Sequence, residues 1–372
     1  MSEVIGLVTF SSSYNNYGQV LQAYATQEYL KHRGHNVFLI RKVGSKKAKV
    51  RFWLKVILKK ILFILTHSPK VKKSLDSQMR PINNNRAFLE EEKKHPRFFE
   101  VFRQKHFQII KSSNNDLKNN KISVLCAGSD QIWGRRGFFY LSFGDDKLKK
   151  ISIASSTGNK VHPPKTKSKI AQWLKPFSFV TVREASGVKL CKEVGRIDAI
   201  QILDPTFLLN ANSYNLLIPE NERLTEDYIL VYLLKAPSAL SYEEIGEFAS
   251  QNGLQIKYVT GQGRVDDFEK IYATVPEWLK LLRDAKYVIT NSFHGMAFSI
   301  IYQKQFMVLP RLGESMNMNE RIEDLAAQMN LENRIYKNGL HTLFDEIDYT
   351  KSIQMISNNH ATLDFLMSKF GL

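Results

Sequence analysis

The chain has 372 residues, of which 43% are hydrophobic and 24% charged; such a composition excludes a disordered chain, a collagen-like repeat and a disulfide-bonded miniprotein. Two cysteines, Cys126 and Cys191, supply neither a disulfide framework nor a four-ligand zinc site. The formal charge of +17 is local: fourteen Lys and Arg and no Asp or Glu lie between Tyr29 and Leu75, leaving +3 for the rest. No recognised nucleic-acid motif accompanies that basic segment, so nucleic acid is not expected as a partner. The N-terminus shows no basic region before its apolar stretch, and no window holds the ~18 uncharged apolar residues of a membrane span. The expected location is the cytoplasm.

Val4 to Phe10 is a β-rich run ending in a polar loop, Ser11 to Gln19. A helix is expected over VLQAYATQEYLKHRG, capped by Gly34, and HNVFLIRK reads as a second strand, parallel to the first. The alternation lapses from Val43 to Asn120. A basic insertion of about residues 43–80 opens this region, and RPINNN and SSNNDLKNN read as loops. Strands resume at SVLCAGSD, KKISIASSTG and FSFVTVRE, followed by a helix-like EASGVKLCKEVG and then AIQILDPTFLL.

The polar stretch Leu217 to Asp227 marks a domain boundary. Beyond it YILVYLL, EEIGEFASQNG, LQIKYVT, VPEWLKLLRDA, KYVITNSF, GMAFSIIYQK and QFMVLP alternate strand and helix patterns. RIEDLAAQMNL places Ile322, Leu325, Ala326 and Met329 on one helix face. The expected fold is α/β, with two doubly wound Rossmann-like domains facing a cleft: residues 1–219 and 220–350, with 351–372 as a C-terminal segment.

Ligands of such sheets sit at the carboxyl ends of the strands. The loop after the first strand carries Asn15, Asn16, Tyr17 and Gly18, which would present amides, a phenol and a helix N-terminus, or else simply cap the helix. AGSDQIWG brings Ser129, Asp130 and Gln131 to the end of another strand; Asp130 serves either as a base or sugar ligand, or as the cap of a turn. Arg183, after FSFVTV, suits a carboxylate or phosphate, with a salt bridge to Glu184 as the competing reading. In ITNSFHGM, His294 stands with Ser292 and Gly295 beside a helix start, where amides hold anions and the imidazole exchanges a proton. No Walker loop or G-x-S-x-G elbow occurs, and the histidines lack metal-ligand company, so no metal or cofactor is expected.

YNNYGQVLQAYATQEYL, AGSDQIW, the spaced YLSFG and KKISIASSTG, VREASGVKL, ILDPTFLL and ITNSFHGMAFSI, in that order, resemble the polysaccharide pyruvyl transferase family from about residue 5 to 335. The resemblance implies the glycosyltransferase-B architecture. It also implies transfer of the enolpyruvyl unit of phosphoenolpyruvate to sugar hydroxyls, commonly as a pyruvate ketal with release of phosphate. Position by position it makes Arg183 and His294 donor-site residues. Some members carry an Arg two positions before that His; this chain has Ser292, so Arg311 and Arg321 are the candidates to complete the donor pocket. AGSDQIWG ends in Gly134-Arg135 where Asn-Pro is commoner in the family. The acceptor side is assigned to Asn15–Gly18 and Ser129–Gln131, with His294 and Asp130 catalytic. Implied partners are phosphoenolpyruvate and a lipid-linked saccharide. A nucleotide-sugar glycosyltransferase on the same fold, or a non-catalytic binder of anionic lipid, are the alternative functions.

Within the basic segment (residues 41–73), Phe52 to Leu65 is apolar but interrupted by Lys55, Lys59 and Lys60, and cations at Lys46, Lys47, Lys49, Arg51, Lys70, Lys72 and Lys73 flank it. Two readings stand: a helix docked on an anionic membrane surface, with the protein peripheral on the inner face of the cell membrane, or a helix packed on the protein's own core with a solvated rim.

Overall fold

A computed structural model of the chain describes residues 2–10, 15–43, 46–134, 137–158, 162–219, 223–224, 226–234, 237–261, 266–313 and 319–372. Ser11–Tyr14 of the first loop and Arg135 lie outside the described residues. The chain divides into two compact units: Met1–Arg41 with Phe98–Leu372, and Lys42–Arg97.

The larger unit contains two parallel sheets. The first comprises β1 (Val4–Val8), β2 (Asn36–Arg41), β3 (Gln108–Lys111), β4 (Val124–Ala127), β5 (Lys149–Ser155), β6 (Phe177–Val182) and β7 (Ile200–Gln201), in the order β3-β2-β1-β4-β5-β6-β7. The second comprises β8 (Tyr228–Leu233), β9 (Gln255–Thr260), β10 (Tyr287–Thr290) and β11 (Gln305–Val308), in the order β11-β10-β8-β9. All neighbouring strands pair in parallel. Every residue of β4 and of β8 is buried, because helices cover both sheet faces and leave no wet side to pattern.

The helices are α1 (Tyr17–His32), α2 (Lys46–Thr66), α3 (Pro69–Lys94), α4 (Phe99–His106), α5 (Asn114–Asn119), α6 (Pro164–Leu174), α7 (Ala185–Glu193), α8 (Ala211–Asn215), α9 (Tyr242–Gln251), α10 (Val275–Asp284), α11 (Phe293–Ile301), α12 (Glu320–Met329) and α13 (Thr350–Lys369). In α12 the four expected apolar residues, Ile322, Leu325, Ala326 and Met329, are the buried ones.

Each sheet reverses its strand order once, the first between β1 and β4, the second between β8 and β10. These reversals open crevices at the strands' carboxyl ends. The first lies beside Gly128-Ser129-Asp130 and the start of α1; the second lies beside Asn291-Ser292 and the start of α11. A hydrogen-bond chain ties the first crevice together. Gln22 Nε2 donates to Thr9 Oγ1 at 2.9 Å, and Thr9 Oγ1 donates to the Ser129 carbonyl at 2.9 Å.

Regular structure also occurs where the sequence reading placed loops. RPINNN lies inside α3, and SSNNDLKNN forms α5, with Ser113 Oγ accepting from Asp116 N at its start. Turn-forming residues were read as a break there, but Ser113 is a helix cap. The strand β3 was missed because only four residues, two of them charged or amide-bearing, complete a sheet edge. The C-terminal segment is the long helix α13, which returns to the first sheet. Asn359 Oδ1 accepts from Leu203 N at 2.8 Å, His360 Nε2 bonds the Phe207 carbonyl at 2.8 Å, and Asp364 accepts from Tyr29 Oη and Arg33 Nη1 at 2.7 and 2.8 Å.

Candidate active site

The centre of the site is Asp204, just beyond β7. Pro205 follows it at the first position of a short 3-10 helix, so Asp204 is the cap and its side chain turns back. Oδ1 accepts from Thr206 N and Thr206 Oγ1, both at 3.0 Å. Oδ2 accepts from Ser129 Oγ at 3.0 Å and from Arg183 Nη1 at 2.9 Å. The carboxylate is fully buried and fully satisfied, as a buried charge must be. Burial alone would raise its pKa; His294, Arg183 and the Thr206 N–H outweigh burial and hold it below the usual range.

Arg183 forms the salt bridge of the competing reading, and it adds a closer partner that the reading did not name. Its principal partner is Asp204, while Glu184 Oε2 stands 3.7 Å from Nε. Glu184 instead collects Ser156 Oγ at 2.9 Å and Thr157 N at 2.8 Å through Oε1. The Arg183 guanidinium is buried, 4.6 Å from the Phe293 ring centroid. Burial opposes its charge, but Asp204, Glu184 and Asp130 hold its pKa above the ordinary arginine value. The space beside it is about 10 Å³, lined also by Arg321, Asp324 and Gln328, enough for one water. Its Nε and Nη2, Glu184 Oε2 and His294 Nε2 are buried without a hydrogen-bond partner.

His294 stands in the first turn of α11, whose helix begins at Phe293 rather than near Met296. Its Nε2 is 3.8 Å from Asp204 Oδ2, within ion-pair reach but too long for a hydrogen bond. The ring lies against Gly18: a Cβ there would fall 2.0 Å from Nδ1 and 2.1 Å from Cγ. The starts of α1 and α11 thus meet at one imidazole. Burial lowers the His294 pKa, opposed by Asp204 and Asp130 and reinforced by Arg183 and Arg321, so the ring is neutral near pH 7.

Around this cluster stand two further cations. Arg321, partly buried, lies 5.8 Å from the Phe293 centroid, and burial with repulsion from Arg183 pushes its pKa down to about 9. Arg311 donates Nε to the Asn291 carbonyl at 2.8 Å, and Asn319 Oδ1 accepts from its backbone N at 2.9 Å. Burial lowers its pKa to about 10, so both guanidinium groups are charged at neutral pH. Asp130 is buried with a backbone φ of 71°, the left-handed region that few non-glycine residues adopt. Its Oδ1 accepts from Gln131 N at 2.9 Å, and Gln131 packs on Gly158.

Other expected contacts are occupied by the fold. Tyr17 does not offer its phenol to the cleft. The ring stacks on Trp278 at 5.0 Å, and Oη donates to the Ala273 carbonyl at 2.6 Å, so it ties α1 to the second sheet's helices. Asn16 is the cap of α1, accepting from Gln19 N at 3.2 Å, and Asn15 precedes it partly exposed. Ser292 caps α11 by accepting from Gly295 N, and Gly295 is needed because a Cβ would lie 2.3 Å from Thr290 Oγ1. Asp204, the central residue, enters the sequence reading only within the family-like stretch ILDPTFLL. Asp-Pro after a strand was the available signal.

The sequence matches the family model described as polysaccharide pyruvyl transferase over residues 16–312. No curated protein matches it. Among solved structures it is similar to UDP-GlcNAc 2-epimerase from Neisseria meningitidis bound to UDP-GlcNAc, with 8% identity, coverage of 97% of this chain and 93% of that one, and a TM-score of 0.48. It is also similar to UDP-GlcNAc 2-epimerase from Methanocaldococcus jannaschii, with 11% identity, 96% and 99% coverage and a TM-score of 0.41. Arabidopsis thaliana UGT89C1 complexed with UDP-L-rhamnose gives 8% identity, 97% and 100% coverage and a TM-score of 0.43. The family match runs through both crevices and takes in Gly18, Asp130, Arg183, Asp204, His294 and Arg311: the chain belongs to the polysaccharide pyruvyl transferase family, transferases acting on polysaccharide.

Proposed function

We propose that the protein transfers the enolpyruvyl unit of phosphoenolpyruvate to a lipid-linked saccharide precursor of a cell-surface polysaccharide, forming a pyruvate ketal and releasing phosphate. The observation that carries this reading is the meeting of a neutral buried histidine, an anchored carboxylate and three guanidinium groups where two helices start. Phosphoenolpyruvate brings a phosphate and a carboxylate, which such a cluster suits. Arg311 and Arg321 are the direct anion ligands in this scheme. Arg183 adds charge from behind Phe293 and positions Asp204.

Protonation of C3 of the enol gives an oxocarbenium-like C2, which one sugar hydroxyl attacks. Loss of phosphate regenerates that electrophile for the second hydroxyl. Of the two protons shed by the hydroxyls, one balances the new methyl group and one leaves with phosphate. His294, neutral, takes a hydroxyl proton; Asp130 serves the other transfer. No step requires a metal.

Incubation with phosphoenolpyruvate and lipid-linked sugars, read by product mass and phosphate release, is the test. Nucleoside diphosphate release from a nucleotide sugar, with no phosphate from phosphoenolpyruvate, would replace the reading with sugar transfer. Arg321→Ala should raise the KM for phosphoenolpyruvate roughly ten- to hundredfold, the worth of one charged hydrogen bond. Asp130→Asn should instead lower kcat by about 10²-fold or more and leave that KM nearly unchanged.

The His294 environment sets a pH signature. With its pKa lowered by burial, the base form persists below the ordinary histidine value of about 6.5. The acid limb of kcat/KM is expected below that pH, and His294→Gln should abolish it; a limb at or above it would remove His294 as the base. Stability follows the same sign. The unfolded chain binds this proton more readily, so the contribution is complete above about pH 6.5 and is lost as pH falls through the folded value.

A further inference from the structure

Within the unit Lys42–Arg97, α2 and α3 form a helical hairpin in which Lys59 Nζ donates to Ser74 Oγ at 2.8 Å and Val56 is 1% exposed. The opposite side of α2 is bare. Trp53, Leu54, Ile57, Leu58, Ile61 and Leu65 are each between 48% and 75% exposed. At 100° per residue these six occupy about half of the helix circumference or less, centred away from Val56. Arg51 and Lys55 border that arc on one flank and Lys60 on the other, all exposed, and Lys70, Lys72 and Lys73 of α3 are exposed as well. The side chains of Lys46, Lys47 and Lys49 lie outside the described residues. No helix among the described residues is long and apolar enough to cross a membrane.

We propose that α2 lies in the plane of an anionic lipid bilayer surface, with its apolar arc among the acyl chains and its flanking cations at the headgroups. An exposed apolar surface of this extent needs a partner. Packing against α3 within the same unit leaves these side chains uncovered. Pairing with a second copy across a two-fold axis would set cation beside cation along both borders. A nucleic acid would meet an arc that, apart from Trp53, is aliphatic and offers it neither stacking nor hydrogen bonds. An anionic bilayer matches both features at once, apolar depth and headgroup charge. This inference does not rest on the proposed chemistry.

The test uses the full chain with vesicles of phosphatidylcholine alone and of phosphatidylcholine mixed with phosphatidylglycerol. Wild type is expected to co-sediment with the mixed vesicles and to lose binding at high salt. Trp53, the one exposed tryptophan among the described residues, should shift its emission to the blue on binding. Leu58→Glu with Ile61→Glu should abolish both effects. Lys55→Glu with Lys60→Glu should weaken binding roughly a hundredfold or more, because each cation near the surface is reversed. Trp53→Phe should still bind but lose the emission shift. Helix content by circular dichroism should be unchanged in all variants, since every altered side chain is exposed. Absence of binding to mixed vesicles at low salt, equal binding by wild type and both glutamate variants, or a dimer that Leu58→Glu with Ile61→Glu dissociates while vesicles remain unbound would each overturn the proposal.

Discussion

Replacing Asp204 with Ala is expected to cost about 3–5 kcal/mol of stability, the scale for leaving one member of a buried ion pair alone. The loss exceeds that of one hydrogen bond because the carboxylate accepts four, from Thr206 N, Thr206 Oγ1, Ser129 Oγ and Arg183 Nη1. Without it the buried Arg183 retains Glu184, 3.7 Å from Nε, and the weaker influence of Asp130. Thermal unfolding should fall by about 4–6 °C. Asp204→Asn, which keeps an acceptor for Thr206 and can donate its amide N–H to Ser129 Oγ, should lie between. Combining Asp204→Ala with Arg183→Met should recover part of the loss, since the unpaired cation is the costly element. A single-variant loss under about 1 kcal/mol would mean that water already screens the pair, contrary to its burial.

Gly18→Ala is expected to separate stability from activity. The new methyl would sit 2.0 Å from Nδ1, 2.1 Å from Cγ and 2.6 Å from Cε1 of His294, so the whole ring must move rather than its tip. Overpacking of this kind costs about 1–3 kcal/mol, while exchanging Gly for Ala within a helix returns up to about 1 kcal/mol. Net stability should therefore fall only modestly. Displacement of the imidazole by about 1 Å from Asp204 and the bound sugar should lower kcat roughly 10²-fold. The measurements are thermal unfolding beside phosphoenolpyruvate-dependent phosphate release. Unchanged kcat would show that the ring position against α1 is immaterial to the chemistry.

The same contact brings residues of the two crevices together. Gly18 was read as an acceptor-side residue and His294 as a donor-side one, yet they touch. Their meeting depends on Tyr17, whose stacking on Trp278 and bond to Ala273 hold the start of α1 against the second sheet's helices.

Much of the architecture is legible in the sequence because it follows from local patterns. Buried parallel strands read as short apolar runs, and each falls where a run such as VIGLV, VLCA or YILVYL ends in polar residues. The α12 face follows from 3.6-residue periodicity alone. Strand order adds that the loops at Asp130 and His294 lie at carboxyl ends, where such sheets bind ligands. Short elements were not legible. β3 has four residues and α5 six, too few for a period to show, and their polar residues serve equally as caps or loops.

Partnerships between distant residues were decided only by tertiary structure. Arg183 stands next to Glu184 in the chain, but folding gives its closest bond to Asp204, which Ser129 also reaches from a separation of 75 positions. The helix α13, with no motif to mark it, fixes the strand end before Asp204 through Asn359 and Leu203. The basic apolar segment has two readings with one helical pattern, and its pattern alone does not say that only Val56 among its large apolar residues is buried. A sequence pattern records which faces of an element are apolar; what covers each face, and which charge answers which, depends on elements brought together from far along the chain.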